Sequence, residues 1–170
     1  MVVCTTATTI TAVLGASATE PHHSNNGPAL SKLLQRLSDA SKSGVYRTAR
    51  SEEILDAAQG SALKVAHIEL AGVTGKQALL ERIARSLVFP HWFGANWDAL
   101  EDCLTDLSWS KASGHVLLFE GAGELPADEL GILTDVLASA AAWGAERKRP
   151  FFAVFVGGPP TLPELFRLRK

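Results

Sequence analysis

The chain of 170 residues is poor in several things, and each shortage closes off a class of function. Its two cysteines, Cys4 and Cys103, make no disulfide framework and lack the repeated spacing of a zinc site, which fits a reducing, cytoplasmic setting. No run approaches the ~18 apolar residues a membrane span requires, so no membrane partner is expected. Internal repeats are absent. Gly121-Ala122-Gly123-Glu124 follows a strand pattern but lacks a third glycine and puts an acid where phosphate would bind, so it reads as a loop. The serine-rich patches contain no nucleophile elbow. Met1 to Pro28 holds no lysine or arginine; the run Ile10 to Ala18, ending Ala16-Ser17-Ala18, therefore lacks the positive flank of an export signal, and Thr11 breaks it. Residues 1–28 read as a disordered segment or a misassigned start. His22 and His23, followed by Ser-Asn-Asn-Gly-Pro, read as linker and not as metal ligands.

The most informative shortage is local. Between Arg85 and Lys111 there is no lysine or arginine. Within that window Pro90 and Gly94 punctuate a short aromatic loop carrying Trp92 and Phe93, and Asn96 is suited to cap a helix of about three turns. At ~100° per residue, Leu100, Cys103, Leu104 and Leu107 share one arc, which predicts a core stripe. Asp98, Glu101, Asp102, Thr105 and Asp106 share the opposite arc, with Trp97 on the border.

This face works against the helix that carries it. The pairs Asp98/Asp102 and Asp102/Asp106 are like charges at i,i+4, each costing roughly 0.2–0.5 kcal/mol. Asp106, in the last turn, also opposes the helix dipole. Acids kept at a cost, flanked by aromatics and without local counter-charge, point to a surface shaped for a cationic partner.

An apolar content of 46% and a charged content of 20%, with net charge −2, suit a soluble globular protein with one real core and appendages. Leu30, Leu33, Leu34 and Leu37 predict a helix over Ala29–Ala40; Val45–Thr48 reads as a strand, and Ser51 starts a helix to about Ala58. This segment, 29–60, either adds a strand and helix to a sheet edge or caps the core. Lys64–Leu70 alternates as a strand, and Thr74 starts a helix with Leu79, Leu80, Ile83 and Leu87 inward. His115–Glu120 and Phe151–Val156 are apolar throughout their middles, as strands covered on both faces are. Between them Pro126 fits the first position of a helix that stops at Gly144. Gly157-Gly158-Pro159-Pro160 ends the last strand, and Leu162, Leu165, Phe166 and Leu168 predict a docking helix in the tail, 159–170. Strands separated by helices imply right-handed crossovers and a mostly parallel α/β sheet.

Catalysis fits poorly. Two acids of a glycosidase face each other across a cleft, whereas acids on successive turns stand side by side on a convex surface. His91 near Asp98 and Asp102 is the only hint of a metal or acid–base site there, and His67 and His115 read as satisfied strand histidines. Direct nucleic-acid binding is opposed by the acidic face, and Arg147, Lys148 and Arg149 form only a short basic cluster.

Pro90 to Thr105, P-x-W-F-G-x-N-W-D-A-L-x-D-C-L-T, resembles the signature of the barstar family, intracellular inhibitors of a secreted bacterial ribonuclease. The surrounding elements stay in step from about Lys64 to Val156. The resemblance implies a small three-stranded parallel sheet packed by helices, with a fourth strand allowed, over 61–158. It implies no cofactor and no catalytic residue. Trp92, Phe93 and Asn96 match loop contacts to the ribonuclease, and Asp98 and Asp102 match two helix aspartates, Asp102 being the one inserted deepest. Thr105 matches a further contact. The chain also departs from the family: Glu101 replaces a tryptophan, Asp106 and Leu107 replace glycine and tryptophan, and Ser139 aligns with a contacting glutamate. Those departures predict a cognate basic ribonuclease with a different rim. An immunity or regulatory binding module for another basic toxin or a non-nuclease protein ranks second, and an enzyme using the carboxylates third.

Overall fold

The computed structural model describes residues 27–165. Cys4, the export-like run, His22, His23, Phe166 and Leu168 lie outside the described residues. Four strands, β1 (Gly44–Thr48), β2 (Leu63–Glu69), β3 (Gly114–Glu120) and β4 (Phe151–Val156), form one parallel sheet in the order β1-β4-β3-β2. Helices α1 (Pro28–Leu37) and α2 (Glu52–Ala58) precede β2; α3 (Lys76–Leu87) and α4 (Trp97–Asp106) lie between β2 and β3, and α5 (Ala127–Glu146) between β3 and β4. The fold is α/β with the larger of the two expected sheets.

The two apolar runs take the centre because helices cover both sides of them. Leu117, Phe119, Ala153 and Phe155 face a core built with α3, α4 and α5, where Phe119 and Phe155 stack at 4.8 Å. Val116, Leu118, Phe152 and Val154 face Leu33, Leu37 and Ile54 of α1 and α2. Segment 29–60 thus does both things the sequence left open: β1 extends the sheet edge beside β4, and its flanking helices close the second face. On the edge strand β2, Ala66 and Ile68 are buried while His67 and Glu69 are exposed, as period-2 alternation requires.

Several boundaries differ from expectation. α3 starts at Lys76, not Thr74, because Gly75 is fully extended (φ −153°, ψ 165°) and serves as its N-cap. Pro126 sits one residue before α5, and the helix runs through Gly144 to Glu146. Gly144 is there for closeness: a Cβ would stand 2.6 Å from the Arg149 carbonyl oxygen and 3.2 Å from Phe151 Cβ. Residues 122–124, expected as loop, make one 3-10 turn. Leu162–Leu165 is not helical. Pro163 and Leu165 bracket Arg47, whose N–H donates to the Pro163 carbonyl (2.9 Å) and whose carbonyl accepts from Leu165 N–H (3.0 Å). Three prolines in five residues remove the donors a helix needs, so the tail bridges the sheet edge.

His115 is 3% exposed and its Nε2 lies 2.8 Å from Ser110 Oγ. Burial first, then Arg149 and Lys64, pushes its pKa down to about 4. The unfolded chain, with an ordinary histidine, binds the proton more readily. Stability is therefore fully present above about pH 6.5 and falls as pH drops towards 4, by on the order of 3 kcal/mol. In His115→Gln the part of the acid-unfolding slope between those pH values should disappear from urea titrations at stepped pH.

Candidate functional site

The aromatic loop is shaped by two residues in left-handed conformation, Val88 (φ 53°) and Ala95 (φ 49°). Val88 closes α3, and the turn lets Phe89 N–H reach the Ala84 carbonyl at 2.9 Å. Phe89 then meets Phe93 edge-on at 5.0 Å and Trp109 at 5.9 Å, while Trp92 lies edge-on to Trp109 at 6.4 Å. Phe93 is anchored against the core, but Trp92 keeps 54% of its surface in solvent. Trp109 underlies the loop, a role its sequence position alone does not reveal.

Asn96 then starts α4 in extended conformation, its Oδ1 accepting from Ala99 N–H at 2.7 Å. The cap ties the loop to the helix, so both are positioned together. Asn96→Ala should lower stability by about 1 kcal/mol in urea unfolding, whereas Asn96→Asp should keep the cap.

Leu100, Cys103, Leu104 and Leu107 are buried as the stripe predicts. Burial, then Asp102 and Asp106, raises the Cys103 thiol to about 11, so it is a packing residue and not a nucleophile. Trp97 is half-buried on the core, with Lys76 Nζ 6.0 Å from its ring centroid.

Asp98, Asp102 and Asp106 are exposed on successive turns, roughly 6 Å apart along the axis. Among the described residues none of the three is in an ion pair. Asp106 accepts from Ser108 Oγ at 3.1 Å. Thr105 is half-buried and spends its hydroxyl proton on its own helix, donating to the Glu101 (2.9 Å) and Asp102 (3.1 Å) carbonyls. Toward a partner it can only accept.

Glu101 departs from the simple picture of a free acid. It is half-buried between α4 and α5, and Ser139 Oγ donates to its Oε1. Glu101 and Ser139, two of the expected departures from the resemblance, are thus joined across 38 residues of sequence. A wheel drawn for one helix carries no signal of this bond. The surface consequently extends from α4 onto α5. His91 is exposed and joins no cluster of metal-binding groups with Asp98 and Asp102.

Residues 63–156, more than half of the chain, match the family described as Barstar (barnase inhibitor). The chain belongs to the barstar family. Among curated individual proteins none matches it. The family is one of inhibitors and not of enzymes, so for this barstar-family chain an inhibitory or immunity-like role toward a ribonuclease is the general frame. No helix among the described residues is long and apolar enough to cross a membrane.

Proposed function

We propose that this chain inhibits a basic ribonuclease in the cytoplasm by placing the exposed face of α4 in the enzyme's active site. The observation that carries the reading is Asp98 and Asp102, exposed on consecutive turns without an internal cation, in a chain of an inhibitor family. A ribonuclease presents lysines and arginines where it binds phosphates, and carboxylates at helical spacing can occupy those positions. Trp92, Phe93 and Asn96 form the loop side of the contact; Glu101, Thr105 and Asp106 form the rest of the helix side. The Glu101–Ser139 pair favours a second reading within the same chemistry. A carboxylate stands there where the family carries an aromatic side chain, which suits another basic toxin as cognate partner.

Titration against a panel of basic ribonucleases, with residual RNA cleavage as readout, tests the first, and calorimetric titration against basic toxins that do not cleave RNA tests the second. The first reading expects stoichiometric inhibition of at least one enzyme; binding to a basic toxin without ribonuclease activity favours the second. Association should also slow as salt rises, because the Debye length falls from about 30 Å at 0.01 M to about 3 Å at 1 M. Steering of this kind accelerates association roughly 10- to 1000-fold, a range that draws on the barnase–barstar pair itself and is not an independent figure for this chain. Stopped-flow rates flat across that salt range would contradict the role given to the acids.

A further inference from the structure

On the face of the sheet opposite α4, three side chains with metal-binding atoms converge. Ala66 and Ile68 of β2 point into the core shared with α4, so His67 and Glu69 point the other way. The β2/β3 register sets Glu69 directly opposite Glu120. His67 Nε2 lies 2.6 Å from Glu120 Oε2, and one ligand atom from each of His67, Glu69 and Glu120 lies within 4.8 Å of the others. The group stands at the carboxyl ends of two neighbouring parallel strands. Glu120 also lines an open cleft of about 650 Å³, together with Glu52, Glu53 and Asp56 of α2.

Two carboxylates directly opposite each other on paired strands are mutually destabilising. Among the described residues no lysine or arginine forms an ion pair with either of them. The backbone nonetheless makes room for the arrangement. Glu69 Oε1 accepts from Ala71 N–H at 2.9 Å and sits where a Cβ on residue 121 would be 2.6 Å away, and residue 121 is a glycine with φ 77°. A Cβ there would also stand 2.8 Å from the Ala71 backbone nitrogen, so Gly121 lets the loop after β3 pack closely on both the end of β2 and the Glu69 carboxylate.

We propose that His67, Glu69 and Glu120 form a binding site for a divalent transition-metal ion, zinc being the best match. One imidazole nitrogen with two carboxylate oxygens suits borderline ions such as Zn²⁺ and Co²⁺, whereas Mg²⁺ and Ca²⁺ favour all-oxygen sets. Three protein ligands leave a coordination position for water or an anion entering from the cleft. The ion neutralises the facing acids and clamps the end of edge strand β2 to β3. The site lies on the other face of the sheet from the ribonuclease-binding residues, so it stands or falls independently of them.

The test is calorimetric titration of the full chain, stripped with chelator, with ZnCl₂ and separately with MgCl₂. Visible absorption on adding Co²⁺ reports the ligand set in the unmodified protein. Expected are a single zinc equivalent, no Mg²⁺ binding, and a Co²⁺ spectrum of nitrogen and oxygen ligation. His67→Ala and Glu120→Gln should each weaken zinc roughly tenfold or more, while His91→Ala changes nothing. His67 and Glu120 side chains are 45% and 36% exposed, so both variants should fold, which circular dichroism verifies. Absence of saturable Zn²⁺ and Co²⁺ binding overturns the proposal. So does zinc binding that survives both substitutions, since its ligands would then lie elsewhere, as at His22 and His23.

Discussion

Asp102→Ala is expected to weaken binding to the target ribonuclease by roughly 30-fold to several thousand-fold while slightly stabilising the inhibitor. The first part follows from burial of one charge opposite another. Asp102 sits mid-helix on the exposed face, flanked by Asp98 and Asp106 one turn away on either side, so a docked partner covers it most completely. Truncating one member of a desolvated interfacial charge pair costs about 2–5 kcal/mol, a range informed by barnase–barstar measurements, with about 1.4 kcal/mol per tenfold in affinity. The second part follows from the free protein. Removing Asp102 relieves two i,i+4 repulsions of roughly 0.2–0.5 kcal/mol each, and alanine is the better helix former. Opposite signs for affinity and stability are the diagnostic result, read by surface-bound ribonuclease kinetics and by urea unfolding of the same samples. Asp98→Ala should lose affinity with a smaller gain in stability, because Asp98 stands in the first turn, where its charge favours the helix dipole and its removal forfeits that gain. If inhibition is present and neither substitution weakens it, the contact face has been misplaced.

That the acids are held against the helix's own interest was legible because it needs only a 3.6-residue period and a count of signs. The buried stripe and the Asn96 cap are legible for the same reason, since each depends on neighbours within a turn or two. The continuous apolar runs of β3 and β4 likewise marked them as central, because only a strand covered on both faces can be apolar at every position. What was not legible depends on pairing at a distance. Nothing in Val45–Thr48 says that it lies beside Ala153–Val156 and not beside β2. Gly144 looks like a helix stop in sequence, yet it permits contact with a strand end that only the fold brings near. The tail leucines at 162 and 165 have helical spacing, but Arg47 supplies an edge that captures the backbone first. The Glu101–Ser139 bond and the His67–Glu69–Glu120 group are both products of register and packing, so residue types alone could not announce them.

A chain starting at Ser61 should fail to fold cooperatively, although it retains all of the family-matching residues 63–156. Val116, Leu118, Phe152 and Val154 are 0% exposed, and Leu33, Leu37, Ile54 and Ala57 cover them from the segment that would be missing. Each apolar side chain returned to water costs roughly 1.5–3 kcal/mol, so the four together approach the 5–15 kcal/mol that holds a typical domain. The loss compounds itself. Without β1, strand β4 becomes an open apolar edge, and Leu165 loses the Arg47 carbonyl that fixes it over the same face. Expected are loss of the sigmoidal urea transition, binding of a hydrophobic dye in native buffer, and concentration-dependent aggregation. α4 itself keeps its local cap and stripe, but the α5 and sheet surfaces that fix its orientation depend on β3 and β4. Ribonuclease binding should therefore fall together with folding. A Ser61–Lys170 chain that is monomeric, unfolds in one sharp transition and still binds the enzyme would mean that 29–60 is a detachable accessory to the sheet and not a part of its core.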